Sequence, residues 1–319
     1  MIAKGMRRTL AACACLGILA ACKDPPKDDV PKDAKDAARS GEPVDAAPAT
    51  PAEVVRRPYD DAKVQGLLNP SGLPPYQGPT GSVEGTIVVR GAPPPATTGK
   101  RADFARCPEA VETYGTTFRV GGTVGEGRAL ADAVVAVTGY EGFVPAKTDH
   151  VTVHFEGCAY DRRTVLMTFG QRIDVLNKSK KQIVTPDIDG QPVLALRIAA
   201  PHSVAPVHLF PPGPGRFHLI DRGVLGYVDE DVYVLMHPLH AATDLKGTYR
   251  IDGVPVGKAT VNAAHPAFGG DAAKEVTITA NVVAKVDLVL TYGEDAGASK
   301  LDAGAAVKKD AGKVPDPIR

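Results

Sequence analysis

The chain has 319 residues with 37 acidic and 37 basic side chains, so its totals exclude both a nucleic-acid footprint and a polybasic membrane segment. It holds no tryptophan and only 5% aromatic residues, which argues against a carbohydrate site built on stacked rings. Its 33 glycines and 28 prolines fit short strands and many turns better than helices.

At the N-terminus, Lys4, Arg7 and Arg8 precede an apolar run from Thr9 to Ala21 closed by small residues. A run of roughly a dozen apolar residues reads as an export signal, since a spanning helix needs ~20. Leu19-Ala20-Ala21-Cys22 resembles the lipobox of bacterial lipoprotein signals. The resemblance implies that residues 1–21 are removed and that the Cys22 thiol takes a diacylglyceryl group. Lys23, rather than Asp, after that cysteine implies delivery to the outer membrane. The membrane is then a partner through the lipid anchor, and the chain is expected in the cell envelope, facing the periplasm or the surface. An ordinary signal peptide that happens to contain a cysteine is the alternative. Cys13 and Cys15 lie within the apolar run and leave with it.

Residues 22–80 are dominated by Lys, Asp, Pro and Ala and have almost no apolar periodicity. Such a segment buries too little surface to offset its conformational entropy and is expected to be a disordered linker. As a coil it would hold the folded part roughly 40 Å or more from the membrane. Residues 293–319 read the same way, as a disordered tail. The triplets Asp295-Ala296-Gly297, Asp302-Ala303-Gly304 and Asp310-Ala311-Gly312 are too irregularly spaced for calcium repeats.

Between these ends, short β-branched runs alternate with Gly and Pro turns. They run from Val83 to Val89, Ala133 to Val137, Val151 to Phe155, Val165 to Phe169, Ile173 to Leu176 and Val207 to Phe210. Others span Gly215 to Ile220, Val232 to Met236, Thr248 to Ile251, Ala259 to Ala263, Val276 to Thr279 and Val283 to Leu290. The only apolar stripe at helical spacing lies between Asp103 and Tyr114. Strands of this length and spacing predict an all-β fold built as an antiparallel sandwich. Cys107 and Cys158 are the cysteines left after the signal and Cys22. In an oxidising compartment such a pair is a candidate disulfide, worth about 4 kcal/mol for a loop of ~50 residues in the loop-entropy model. Two separate buried thiols are the alternative.

Two resemblances divide this core. Thr243-Asp244-Leu245-Lys246-Gly247-Thr248-Tyr249-Arg250-Ile251, followed by Val254-Pro255-Val256-Gly257, resembles the carboxypeptidase regulatory-like modules. That implies a small transthyretin-like β-sandwich over 229–292, of a kind that carries no chemistry of its own. The residues agree: Asp244 and Gly247 suit a tight turn, and Tyr249 and Ile251 alternate onto one face. Further upstream lie Gly-x-Val-x-Gly at 81–85, Cys107, Leu130-Ala131-Asp132-Ala133-Val134-Val135, Cys158, a strand from Gly170 to Asn177, and the Pro214-Gly215 strand. Over 81–228 this order resembles secreted cupredoxin-like proteins fused to such a module. In them a histidine follows the Asn-ending strand, and a later Cys-x-x-His supplies more copper ligands. Here Asn177 is followed by Lys178-Ser179-Lys180-Lys181, and Phe217-His218-Leu219-Ile220-Asp221-Arg222-Gly223-Val224-Leu225 holds no cysteine. The resemblance therefore implies the cupredoxin-like sandwich without its His-Cys-His copper set, and no cofactor is expected.

The remaining chemistry is sparse. His237, His240 and His265 form an alternative metal set, although His-Pro at 237–238 and 265–266 suits strand ends where proline stops a ladder. His150 and His154 would share a strand face. Gly253 to Thr260 has the wrong spacing for a phosphate loop, and Asp187-Ile188-Asp189-Gly190 lacks the further acids of a calcium loop. No Gly-x-Ser-x-Gly or His-Glu-x-x-His occurs. The expectation is a non-catalytic envelope lipoprotein whose tethered sandwiches bind a protein or an envelope polymer, and no nucleic acid. A metal-binding or electron-transfer protein with an unusual histidine site is the alternative.

Overall fold

The computed structural model describes residues 58–97, 104, 107–191 and 196–293. The expected export signal, Cys22, the expected linker up to residue 57 and the tail beyond 293 lie outside them. The described chain is all-β, with short helices at α1 (Asp61–Leu68) and α2 (Ala110–Tyr114).

The strands build two sandwiches, one threaded through the other. The chain begins the first with β1 (Thr80–Gly91), β2 (Val120–Val124), β3 (Gly127–Leu130) and β4 (Val134–Thr138). It then leaves to build the second. That one consists of β5 (His150–Glu156), β6 (Ala159–Tyr160), β7 (Thr164–Thr168), β8 (Arg172–Asn177), β9 (Pro186–Ile188), β10 (Val207–Leu209), β11 (Gly215–Asp221) and β12 (Asp229–Leu235). The chain returns to complete the first with β13 (His240–Ala242), β14 (Thr248–Pro255), β15 (Gly257–His265), β16 (Phe268–Ile278), β17 (Val283–Lys285) and β18 (Leu288–Tyr292).

In the first sandwich, β1 pairs with β14 and β3 and also lies parallel to β17 and β18. The facing sheet runs β13-β4-β15-β16. Val83, Ile87, Leu130, Val135, Val137 and Val261 fill the space between them. In the second, β10-β8-β5-β6 faces β7-β12-β11-β9 across Val153, Phe155, Met167, Ile173, Leu219 and Val232. Burial follows the period of two that side chains on a strand obey, with every second residue of β15 from Ala259 to His265 inside.

Three expectations need correction. The division between 228 and 229 is not where the sheets part, because β12 completes the second sandwich and β1 to β4 belong to the first. The pairing is mixed rather than antiparallel, with β5–β8 and β7–β12 parallel alongside the β1 pairs. The disordered linker does not extend to residue 80: Asp60 caps α1 through the Ala62 amide, and Val64 is buried. Gly170 makes that docking feasible, since a Cβ there would lie 2.6 Å from Val64 Cγ1. Tyr59 adds a ring contact to Phe169 at 5.3 Å. The predicted helical stripe shortens to α2.

β7 is buried along its whole length because both its faces are covered. One side meets the second core, and on the other Leu166 packs with Val134 and Ala136 of β4. A polar knot closes the same seam. Asp132 adopts a left-handed backbone (φ 62°), a conformation that Asp tolerates better than most residues. Its carboxylate takes two hydrogen bonds from Arg119, each 2.7 Å, and one from the Arg163 amide at 3.0 Å. Its carbonyl accepts the Thr164 hydroxyl at 2.8 Å. Thr243 bonds Leu130 O and the Ala133 amide through its hydroxyl. Breaking a buried pair strands its partner, so Asp132→Ala is expected to cost about 3–5 kcal/mol of unfolding free energy. Urea titration of the purified variant checks this; a loss within experimental error of zero would show that the knot is dispensable.

Candidate functional site

Each predicted site residue has a definite setting. Cys107, just before α2, is disulfide-bonded to Cys158 in the turn between β5 and β6, with Cα atoms 5.8 Å apart. The bond fastens α2 to the second sandwich. Beneath it Tyr114 donates its hydroxyl proton to Glu230, and Tyr227 donates to the Cys158 carbonyl at 3.0 Å. Glu230 is fully buried, its other carboxyl oxygen has no hydrogen-bond partner, and neither has the Tyr160 hydroxyl. Burial drives the Glu230 carboxyl well above its ordinary value and holds Tyr160 and Tyr114 well above theirs.

The sign of the pH effect follows. The unfolded chain gives up the Glu230 proton near pH 4.5, whereas the folded chain keeps it far higher. Above pH 4.5 unfolding therefore releases a proton, and stability falls as pH rises towards the folded value. Glu230→Gln should match the parent near pH 4.5 and exceed it at pH 8. Denaturant titrations at the two pH values test this, and parallel curves for the two proteins would exclude it.

At one end of the second sandwich lie the loops that the cupredoxin resemblance singles out. Asn177, buried at the end of β8, donates to Gln182 O and Ala199 O and accepts from the Ser179 amide and hydroxyl. Asp221, at the end of β11, accepts from the Thr185 amide at 2.6 Å and the Leu225 amide at 2.8 Å. Both side chains are used in tying loops together.

The alternative metal set is not assembled. His265 is buried and held at both ring nitrogens: Nε2 lies 3.1 Å from Ala131 O, and the Ala267 amide donates to Nδ1. Burial pushes it down to about 4, and its ring stacks on Phe268. His237 and His240 neighbour each other with ring centroids 6.4 Å apart, and His240, also pushed to about 4 by burial, contacts the Thr168 hydroxyl. Among the described residues no three His, Cys, Asp or Glu side chains converge as a metal site. His150 and His208 both approach Asp174, at 4.0 and 2.6 Å, but Arg172 binds the same carboxylate. His154 faces Asp161 instead.

A polar cleft of about 220 Å³ opens where the two sandwiches meet, and reading the sequence did not find it. Arg216 and His218 of β11 and Asp229 and Asp231 of β12 form one wall, with His265, Pro266 and Ala267 opposite. Arg216 bonds Asp231 at 2.7 Å and also reaches Pro266 O across the seam. His218 lies 2.8 Å from Asp229, whose carboxylate raises its affinity for a proton. Burial raises the Asp231 carboxyl. Arg163 enters from β7's approach and bonds the Thr116 carbonyl at 2.8 Å. The signal was present: charged residues two apart on neighbouring strands share one face. What stayed hidden was the pairing of β11 with β12 beside a turn some 30 residues downstream.

No protein-family model matches the chain, and no curated protein matches it. Among solved structures, a chain of a heme-copper terminal oxidase dimer is 16% identical with a TM-score of 0.23, over 28% of this chain and 66% of that one. The match thus spans just under two thirds of the oxidase chain. Auracyanin A, a blue copper protein from the green thermophilic photosynthetic bacterium Chloroflexus aurantiacus, is 14% identical with a TM-score of 0.23, over 27% of this chain and 99% of that one.

Proposed function

We propose that the chain is a non-catalytic binding lipoprotein of the cell envelope, anchored through Cys22 and holding its ligand in the seam cleft. The observation that carries this reading is the pairing of cations and anions on one cleft wall, Arg216 with Asp231 and His218 with Asp229. A wall of both signs suits a ligand with both signs, such as the amino and carboxyl groups of a peptide stem in an envelope polymer. The volume has room for about seven waters, or one such residue. Because both sandwiches line the cleft and Asp132 locks them, the site is preorganised and loses little freedom on binding. The cupredoxin-like half serves here as scaffold, with Asn177 and Asp221 tying its loops.

Titration of the full chain with soluble fragments of the envelope polymer tests the cleft. Arg216→Gln should weaken binding about tenfold, the effect of one charge-assisted hydrogen bond, beyond any loss of stability from its Asp231 and Pro266 contacts, which a melting temperature measured on the free protein separates out. Unchanged affinity would remove the cleft from the reading. The anchor is tested separately: Cys22→Ala should stay in the aqueous phase when extracts are partitioned with detergent, where the parent enters the detergent phase.

A further inference from the structure

Balanced totals hide a local concentration of basic side chains at the end of the second sandwich where β8 and β11 finish and β10 begins. Three loops meet there: residues 178–185, 196–206 and 222–228. They are joined by backbone hydrogen bonds from His202 to Ser179 O, Ser203 to Asn177 O and Arg222 to Thr185 O, and by the Val184–Ala199 bridge. Each loop points an aliphatic side chain at solvent. Ile183 is 56% exposed, Ile198 63%, Val224 88% and Val204 96%. Around them Lys178, Lys180, Lys181 and Arg197 are all exposed, and none meets a carboxylate among the described residues. Of the acids at this end, Asp187 and Asp189 face Arg222 and Asp221 holds two amides, while Glu156, exposed at the end of β5 beside Lys178, and Glu109, exposed near Tyr227, offset part of the positive charge.

We infer that this loop end is a membrane-contact surface that lays its four aliphatic tips into the interface of an anionic bilayer, with the three lysines on the headgroups. The chemistry favours lipid over a protein partner. Protein interfaces are enriched in Tyr, Trp and Arg and depleted in Lys. Apart from Arg197, this surface has the reverse composition: lysines, long enough to reach headgroups, around exposed Val and Ile tips and with no exposed aromatic among them. A juxtaposed polybasic and aliphatic surface gains from both anionic attraction and apolar burial. The rigidity also fits, since Asn177 and Asp221 hold the loops from below, so little order has to be imposed on contact. The inference leans on the proposed anchor only for nearness to a membrane. A linker of residues 22–57 could extend to about 120 Å, ample for this end to turn towards the bilayer.

The test uses the full chain with vesicles of phosphatidylcholine or of phosphatidylglycerol, followed by brief lysine acylation and residue-resolved mass spectrometry. Labelling of Lys178, Lys180 and Lys181 should fall about fivefold on phosphatidylglycerol relative to phosphatidylcholine, and recover at high salt. Lys258 and Lys285, exposed on the other sandwich, should label equally on both. Val204→Asp combined with Val224→Asp should abolish the protection, and because both side chains point into solvent the melting temperature should not move. Equal labelling of the three lysines on the two lipids overturns the inference. So does protection that arises without lipid and grows with protein concentration, the mark of a protein partner on this face. Failure of the anchor reads out differently, as loss of flotation with phosphatidylcholine vesicles, and leaves the labelling ratio on phosphatidylglycerol to be judged by itself.

Discussion

The carboxylate of Asp132 is the point on which the two sandwiches depend. It sits between β3 and β4, where the chain turns, and Asp132 draws partners from two separate stretches: the side chain of Arg119 from one, and from the other the Arg163 amide and, at the Asp132 carbonyl, the adjacent Thr164 hydroxyl. A buried carboxylate is tolerable only when its lone pairs are filled, and here the Arg119 fork and a backbone N–H fill them. The left-handed turn at Asp132 aims the carboxylate at the seam, so the residue serves backbone and electrostatics at once. Apolar burial of Leu166 against Val134 and Ala136 glues the seam, whereas Asp132 fixes its register.

Threading one sandwich through the other follows from the same junction. β4 must pair with β15 and β13, which lie more than a hundred residues later, so the first sandwich closes only after the second has been built. β1 waits in the same way for β14, and Ser82 reaches Asp252 across 170 residues. The long loop that results is costly in entropy only logarithmically, and a folded insert brings its ends together. In the structure β4 and β13 are adjacent and antiparallel, so the insert leaves and re-enters side by side. The charged cleft is a product of this topology, for its two walls are 30 residues apart in sequence and on different sandwiches.

Local features were legible in the sequence and non-local ones were not. In the stretch from Thr243 to Ile251 the turn and core residues do what their types suggest: Asp244 closes a turn through the Lys246 and Thr248 amides, and Tyr249 donates to Val286 O inside the core. At Gly247 (φ 72°) an added Cβ would lie 2.5 Å from Ile87 O, so only glycine fits the close approach. β2 and β9 were missed because Gly121-Gly122 and Pro186 disguise short edge strands. α1 was missed because its host segment is polar overall, and one buried valine with an aspartate cap decides the matter. Glu230 shows an unread signal. Asp229-Glu230-Asp231 looks like an acidic turn, yet period two places Glu230 on one face with Val232 and Val234 and sends its neighbours to the other.

That alternation also explains why β12 serves both a core and a cleft. Its inward residues meet the second hydrophobic core, where a charge is expensive, so Glu230 keeps its proton. Its outward residues meet Arg216 and His218 on β11, where paired charges are stable because solvent and partners share the work of solvation. One strand thus carries three consecutive acids in two environments, set by which face of the sheet each side chain leaves. The same division holds at the loop end, where buried Asn177 and Asp221 bond the loop backbone and the Ser179 hydroxyl. The tips of those loops, relieved of any part in holding the fold, are left free to carry aliphatic side chains and unpaired lysines into solvent.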